Sequence, residues 1–311
     1  MSFTADQAWT YRFHDTLLLT FQQMSSIVRG LLDPAMVHND VSAAIDYHER
    51  LGNGIANDVV APFAPTAAQN LNQSRRAVTM QSSDFTVLVS DENTLRGMVN
   101  PTNGFTRTIL AGCQRRADLH VINALIGSAQ TASVTAGTGV ITTSTQAMLA
   151  AHQIGAASAI DLARVINATE LLSKKGVPND GKRAFLYSPG QLRDLLAITQ
   201  ASSSDFTKNQ IHDKGTINGV NWEGFNWYEI ADVIADDAST ILQRMLPVPS
   251  FRQCIAFHPS AVGLSIAKEI KSQLDPRPDL QSRPMQVRAS MMMAAVRVWE
   301  GGVVEVRALE N

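Results

Sequence analysis

Histidine and cysteine are the side chains of this sequence best suited to bind a metal ion or to transfer a proton. The seven histidines are His14, His38, His48, His120, His152, His212 and His258. None of them stands at zinc-site spacing from another histidine or from a cysteine. The cysteines, Cys113 and Cys254, are also far apart and match no metal-ligand spacing. We therefore expect two buried core thiols, no metal site and no cofactor site.

Two short polar pairs come nearest to fragments of a catalytic site: His14 with Asp15, and Asp118 with His120. His14 and Asp15 are adjacent, and Asp118 and His120 lie two residues apart in a predicted helix, so the side chains of each pair point to different faces. They should not converge and are expected to be surface or capping groups. The acidic pair at 236–237 is more typical of a solvated turn than of a cation site. The sequence also lacks a nucleophile elbow, a His-Glu-x-x-His motif and a phosphate-binding loop. We expect no catalytic residues, and a protein that is not an enzyme.

Two pairs of adjacent arginines are the charged residues of greatest interest: Arg75 with Arg76, and Arg115 with Arg116. Arginine suits interface ion pairs, because its planar guanidinium can bind a carboxylate at two points. An ordinary solvated position is the alternative for each pair. The favoured hypothesis is that all four residues contact a neighbouring subunit.

The composition indicates an ordered protein that is not a dedicated nucleic-acid reader. Apolar residues make up 45% of the 311 residues, and 26 basic residues nearly balance 28 acidic ones. A nucleic-acid reader normally carries a strong basic excess. No stretch approaches the roughly 20 apolar residues of a membrane-spanning helix, and no signal peptide is recognised. We expect a protein that is made and kept in a cytoplasm, with a nearly neutral surface suited to self-association.

The first 90 residues contain segments that lack an obvious core of their own. Residues 1–45 carry apolar residues at helix-like spacing from Leu17 to Leu32, followed by a break at 33–34. Residues 46–90 read as short strands around a long irregular excursion, and such a hairpin is only marginally stable alone. The predicted strands are Ile55–Val60, Ala77–Met80 and Phe85–Val89. Both segments are expected to pack on the rest of the domain or on a neighbouring subunit.

A long amphipathic helix is the clearest predicted element. It is predicted over residues 101–127, beginning at Pro101, whose missing N–H is not needed at a helix start. Apolar residues recur every four positions, at Phe105, Ile109, Cys113, Ala117, Val121 and Leu125. Residues 130–150, rich in threonine, serine and alanine, are predicted to be a surface loop with one strand.

The remainder of the chain has an alternating α/β pattern. Helices are predicted over Asp161–Lys174 and from Pro189, and strands over Arg183–Tyr187, Arg252–Phe257 and Val262–Ile266. Gly219–Ile230 is predicted to be strand and turn. The last two predicted strands, Met285–Trp299 and Val303–Leu309, are joined at Glu300–Gly302, which is a hairpin signal.

Several weak motifs, in a consistent order, resemble one family. They are Ser74–Met80, Ser83–Phe85, Asn100–Thr102, Arg116–Asp118, Ala124–Gly127, Phe185–Leu196, Gly215–Gly219 and Val287–Val298. Over roughly residues 45–310 the sequence resembles the major capsid proteins of tailed double-stranded DNA bacteriophages, which have the Hong Kong 97-type capsid fold.

The resemblance implies an α+β, Hong Kong 97-like phage capsid fold with four parts. These are an N-terminal arm (1–45), an extended β loop (46–90), a peripheral domain with the long spine helix (91–150 and 271–311) and an axial α/β domain (151–270). It also implies self-assembly into hexamers and pentamers of an icosahedral head that encloses double-stranded DNA through non-specific contacts. A separate scaffolding protein, a portal and a decoration protein are the implied partners. The implied location is the virion, with assembly in the host cytoplasm.

Two alternatives stay open, and one absence bears on the resemblance. An encapsulin-like shell would keep the fold and package enzymes, whereas a soluble α/β enzyme would have a site that the sequence does not reveal. In the type member of the fold, a lysine on the extended loop bonds covalently to an asparagine of a neighbouring subunit. The first lysine of this sequence is Lys174, so residues 46–90 contain no such amine. We expect a shell without this cross-link.

Overall fold

A computed structural model describes residues 25–58, 68–69, 71, 73–89, 102–134, 141–155, 158–197, 217–230, 252–281 and 283–309. The α-helices within these ranges are α1 (Thr102–Ile126), α2 (Leu162–Lys174) and α3 (Pro189–Leu196). The strands are β1 (Val37–His38), β2 (Ile45–Leu51), β3 (Gln73–Thr79), β4 (Gln81–Val89), β5 (Ala129–Val134), β6 (Ile141–Gln146), β7 (Gln153–Ile154), β8 (Ala184–Tyr187), β9 (Asn221–Trp222), β10 (Phe225–Glu229), β11 (Arg252–Phe257), β12 (Val262–Pro276), β13 (Met285–Arg297) and β14 (Val303–Ala308).

Helix α1 confirms the predicted spine. Its 25 residues extend about 37 Å at 1.5 Å per residue. The predicted stripe is buried from Ile109 through Cys113 and Ala117 to Leu125. This stripe packs on β13, β12 and β4, and the apolar residues between helix and strands form the largest core cluster. The helix is thus attached along its length to one sheet.

That sheet has four strands in the order β1-β12-β13-β4. Strand β1 is parallel to β12, and the other pairs are antiparallel. Strand β12 is far longer than the predicted Val262–Ile266, because it continues through Pro276 in antiparallel pairing with β13. Pairing beyond Ile266 is interrupted by two register shifts, and the outer half of β12 is largely exposed. A run of exposed polar residues lacks the apolar pattern from which a strand is predicted.

The second sheet, which we call the hairpin sheet, has the order β2-β3-β5-β6 and is antiparallel throughout. Its first strand is Ile45–Leu51, so the prediction of a strand from Ile55 is wrong over 55–58; residues 59–67 lie outside the described residues. The predicted loop at 130–150 is largely the hairpin β5–β6. Val78 and Ala129 of this sheet pack against Val296 of β13, on the face of the first sheet opposite α1.

The third sheet has six strands in the order β7-β14-β11-β8-β10-β9. Helices α2 and α3 pack on it around a core that includes Phe185 and Trp227, whose rings stack at 4.2 Å. Asp161 caps α2 by accepting a hydrogen bond from the Arg164 amide at 2.9 Å. The predicted helices and strands over 161–187, 189–196 and 252–257 are confirmed to within one residue.

The predicted C-terminal hairpin is wrong, because β13 and β14 belong to different sheets. Residues Glu300–Gly302 form a short 3-10 turn between them. A Cβ on Gly302 would stand 2.5 Å from the Ala261 Cβ, so this glycine permits close packing between two turns. The turn that contains Gly301 and Gly302 therefore connects β13 of the first sheet to β14 of the third sheet.

The sheets also cross the predicted domain boundaries. Strand β12 passes through residue 270, and β14 joins the six-stranded sheet although it follows β13 of the first sheet. The division into peripheral and axial domains stays a prediction. In the predicted arm, residues 1–24 lie outside the described residues, and within 25–32 only Arg29–Leu31 is helical, as a 3-10 turn. None of the described helices is both long and apolar enough to cross a lipid bilayer.

Candidate functional site

The first candidate site is a buried ion-pair cluster where the three sheets meet. Successive residues of a strand point to opposite faces, so Arg75 and Arg76 of β3 have different surroundings. Arg76 is 5% exposed, and its Nη2 lies 2.5 Å from Oε1 of Glu300. Arg50 of β2 approaches the same carboxylate at 3.5 Å. The turn between β13 and β14 is thereby linked to the hairpin sheet.

Arg297, the last residue of β13, completes this junction. Its side chain is fully buried and donates hydrogen bonds to the carbonyl oxygens of Leu125 at 2.7 Å, Gly127 at 2.8 Å and Gln146 at 3.2 Å. The guanidinium thus satisfies carbonyls at the C-terminal end of α1, where a positive charge is favourable. Burial lowers the pKa of Arg297, and the nearby carboxylate of Glu300 opposes that shift. We call Arg76, Arg297 and Glu300, with Arg50 at its edge, the sheet junction.

The remaining predicted arginines lie at other positions. Arg75 is exposed, and its Nη2 lies 2.7 Å from Oε1 of Glu49, also on the hairpin sheet. Arg116 is exposed on α1, whereas Arg115 is partly buried, and burial lowers the pKa of its guanidinium. The four arginines therefore do not form one group. Contacts with a neighbouring subunit stay a prediction for all of them, and the charge of Arg76 is already balanced within the chain.

Asp118 forms a second candidate site, between α1 and residues 26–29 of the predicted N-terminal arm. Its side chain is 1% exposed, which contradicts the expected surface position. The carboxylate accepts hydrogen bonds from the backbone amides of Ile27 at 2.9 Å, Val28 at 3.0 Å and Arg29 at 3.1 Å, and from the Ser26 hydroxyl. A carboxylate bound by several donors is held firmly in place. Asp118 therefore fixes residues 26–29 on the spine helix.

The third candidate is a polar cluster between the hairpin sheet and the first sheet. Ring nitrogens of His38 and His48 and a carboxylate oxygen of Asp46 all lie within 4.8 Å of one another. Hydrogen bonds from Ser265 and His38 lower the pKa of the Asp46 carboxyl, although burial opposes that shift. Burial is the main cause that lowers the pKa of His48 to about 4. His48 is therefore a neutral imidazole at neutral pH.

His120 does not have the surface position expected for it, whereas the two cysteines are buried as predicted. His120 is buried beside Ser83, with Nε2 3.4 Å from the serine Oγ. Cys113 and Cys254 are both buried free thiols, as expected. Within the described residues, Asp118 and His120 do not form a catalytic pair, because Asp118 binds the Val28 amide and His120 contacts Ser83 of β4.

Sequence reasoning identified Arg76 as important but missed most of its surroundings. Arg297 and Glu300 are isolated charged residues in an otherwise apolar stretch, and that is a usable signal, because buried charges normally have partners. The only local sign of the His48 cluster is the Asp46-x-His48 spacing, which places two polar side chains on one face of a strand. His38 and Ser265 could not be added to it without the pairing of β1 with β12.

Comparisons with known proteins give a consistent picture. The family model described as phage capsid protein matches residues 5–310. A search of curated proteins found no match. Among solved structures, a chain of Mycobacterium phage Che8 is 17% identical with a TM-score of 0.65, covering 96% of this chain and 97% of that one.

Two further solved structures have similar coverage. The capsid structure of Cyanophage P-SCSP1u gives 13% identity and a TM-score of 0.70, over 100% of this chain and 96% of that chain. The capsid of Ralstonia phage GP4 gives 10% identity and a TM-score of 0.66, over 99% and 97%. At such low identity these similarities concern the fold.

Proposed function

This chain belongs to the phage capsid protein family, whose model matches nearly its whole length, and from that premise we propose that it is the major capsid protein of a tailed phage. It is a structural protein of a capsid shell. In this proposal, copies assemble as hexamers and pentamers into an icosahedral head that encloses double-stranded DNA. The single observation that carries the proposal is the match of the complete fold to phage capsid subunits, over 96% or more of both chains for the first two structures.

The apolar surface of the hairpin sheet supports assembly with other copies. Leu51 ends β2 as an exposed residue, Ile55 is 85% exposed, and Leu71 is exposed on the returning segment. Single exposed apolar residues are common, but three on one extended segment are costly to leave in water. We propose that residues 46–90 cover an adjacent subunit, which buries these side chains.

The site geometry also suits a mechanical role. The sheet junction and Asp118 connect the helix α1, the hairpin sheet and residues 26–29 of the predicted arm by buried charge-assisted hydrogen bonds. Such contacts are geometrically specific, so they fix the angles at which these parts leave the subunit. In a closed symmetric shell, every copy repeats the same contacts, and small errors in angle would prevent closure.

Other partners are proposed from the capsid role. A separate scaffolding protein and a portal would direct assembly, and a decoration protein would bind the finished surface. DNA would be held by non-specific contact, which is compatible with the near balance of 26 basic and 28 acidic residues. The assembly would take place in the host cytoplasm.

Electron microscopy and sedimentation of the purified full-length protein test the proposal. We expect hexamers, pentamers or shells, formed alone or with the scaffolding protein, and particles from infected cells should contain nuclease-protected DNA. The Ile55→Asp variant should lose assembly while it keeps the wild-type melting temperature, because Ile55 is exposed. The matched control is Ile166→Asp, which changes an exposed isoleucine on α2.

Three results would contradict the proposal. A protein that stays monomeric under all conditions would exclude a shell subunit. Shells that contain enzymes instead of DNA would indicate the encapsulin-like alternative. Equal loss of assembly in both isoleucine variants would remove the argument from the extended loop.

A further inference from the structure

Four side chains from three strands meet where the hairpin sheet crosses the first sheet. His38 of β1 and Ser265 of β12 are direct neighbours in the parallel pairing of those strands. Asp46 and His48 lie two residues apart on β2, so their side chains point to the same face. Strand β2 thereby places Asp46 and His48 next to His38 and Ser265. This convergence is independent of the capsid function.

The distances show a continuous chain of polar contacts. Nδ1 of His38 lies 2.7 Å from Oδ2 of Asp46, and the same oxygen accepts a hydrogen bond from the Ser265 hydroxyl at 2.7 Å. Nε2 of His48 lies 3.0 Å from Oγ of Ser265 and 4.0 Å from Oδ2 of Asp46. The two imidazole nitrogens and the carboxylate oxygen thus surround one small volume.

The surrounding backbone holds His48 in position. A Cβ on Gly263 would stand 2.5 Å from the imidazole ring of His48, so the ring lies directly on the β12 backbone. The His48 side chain is 2% exposed, whereas that of His38 is 41% exposed. The His48 ring is therefore fixed in position, and the His38 ring is accessible from solvent. An accessible ligand gives an ion a path into the cluster.

The donor set determines which ions fit. Two imidazole nitrogens and one carboxylate oxygen suit zinc and related divalent transition metals, and calcium and magnesium prefer oxygen ligands. Imidazole binds such ions through an unprotonated ring nitrogen, and Nε2 of His48 and Nδ1 of His38 are the nitrogens that lie within 4.8 Å of the Asp46 carboxylate oxygen. The imidazole rings are stacked at 4.1 Å with an angle of 13°, so their planes are nearly parallel and one ion cannot lie in the plane of both rings. His38 has to turn about its side-chain torsions to direct Nδ1 at an ion, and its exposure leaves room for that rotation.

We propose that His38, Asp46 and His48 bind one divalent transition-metal ion of the zinc class, with Ser265 as an outer hydrogen-bonding partner. The ion replaces the hydrogen bond between His38 and Asp46, and the neutral His38 ring binds it through Nδ1 with its proton on Nε2. Solvent occupies the remaining coordination positions. Bound in this way, the ion links β2 of the hairpin sheet to β1 of the first sheet and fixes the base of the extended loop.

Cobalt absorption spectroscopy tests the proposal directly. The full-length protein, prepared without an affinity tag and treated with a chelator, is titrated with Co²⁺. We expect d–d absorption bands with a stoichiometry of one ion per chain, and loss of these bands when Zn²⁺ is added. Isothermal titration calorimetry with Zn²⁺ should give the same stoichiometry.

Variants separate this site from adventitious binding. His38→Ala and Asp46→Asn should abolish the cobalt spectrum, while circular dichroism shows an unchanged fold for the variant at the exposed His38. Ser265→Ala should weaken binding roughly 10- to 100-fold, as loss of an outer partner does. Glu49→Gln is the matched control, because Glu49 is an exposed carboxylate on the same strand and pairs with Arg75.

Three results would reject the proposed metal site. Absence of a one-to-one complex in the wild-type protein would overturn the proposal. A spectrum that survives in both His38→Ala and Asp46→Asn would overturn it as well, because the ion would then be bound elsewhere. Loss of binding in Glu49→Gln to the same degree would indicate only general surface charge and would also reject the site.

Discussion

The carboxylate of Asp118 accepts a hydrogen bond from the backbone amide of Val28 at 3.0 Å, and Val28 itself is buried in the main core. Val28, in the predicted N-terminal arm, is therefore held through both its backbone amide and its side chain. Arg29, next in the sequence, pairs with Glu269 of β12 at 2.5 Å. The arm is thus connected to the spine helix and the first sheet through four consecutive residues, 26–29.

Asp118→Asn should release this segment. The amide side chain cannot accept the same set of hydrogen bonds, and buried backbone amides left without acceptors cost about 1–3 kcal/mol each. Limited proteolysis should cut near residues 26–29 faster than in the wild-type protein, and urea denaturation should show lower stability. Asp84→Asn is the control, because Asp84 is exposed on β4. Equal proteolysis of both variants would contradict the role of Asp118.

Arg75 and Arg76 should respond differently to substitution by alanine. Arg76→Ala removes the shorter ion pair of the buried Glu300 and leaves Arg50 at 3.5 Å, so we expect a loss of about 3 kcal/mol in the free energy of unfolding. Arg75→Ala removes an exposed pair with Glu49, so the loss should stay under about 1 kcal/mol. Urea denaturation measures both. If Arg75 also contacts a neighbouring subunit, its variant should assemble poorly despite normal stability.

A mature shell should contain no lysine–asparagine cross-link from the extended loop. Residues 46–90 contain no lysine, and the first lysine, Lys174, lies in the last turn of α2 and pairs with Glu170 at 2.6 Å. Mature particles boiled in SDS and reducing agent should therefore release a single band near 33.7 kDa. A ladder of linked oligomers that survives this treatment would refute the prediction.

The stability of the subunit should fall on acidification partly through His120. Burial, with a smaller effect of Arg116, lowers the pKa of His120 from 6.5 to about 4. The unfolded chain then binds a proton below about pH 6.5 that the folded chain does not, so stability decreases as the pH falls from 6.5 to 4 and levels off below that. The full effect is at most about 3 kcal/mol. His120→Gln should reduce this slope in urea denaturation measured across the pH range, and an unchanged slope would contradict it.

The parts of the fold that were predictable from sequence have strong local periodicity. Helix α1 repeats an apolar residue every four positions, and β11 is a short apolar run, so both were located almost to the residue. Strand β2 was missed because its sequence, IDYHERL, is mostly polar and its side chains find partners in other strands. The apolar residues after it, from Ile55, were mistaken for the strand.

The candidate sites depended on contacts that no local pattern contains. Asp118 binds residues about 90 positions earlier, and Arg76 binds Glu300 more than 200 positions later. The two glycines after Glu300 were interpreted as a tight turn, but they pack against Ala261 and Trp299. Sequence spacing indicates which charges are unusual, and only the sheet pairing shows where their partners lie.

The order in which strands pair has a consequence for synthesis on the ribosome. Val37 of β1 pairs with Leu264, and Gln153 of β7 pairs with Glu305. Among the described strands, the first sheet lacks β13 until translation has passed residue 297, and the six-stranded sheet lacks β14 until it has passed residue 308. Contacts so distant along the chain form slowly, and unpaired strands are prone to aggregation. Nascent chains should therefore remain incompletely folded throughout translation, which gives host chaperones time to bind them before any copy can enter a shell.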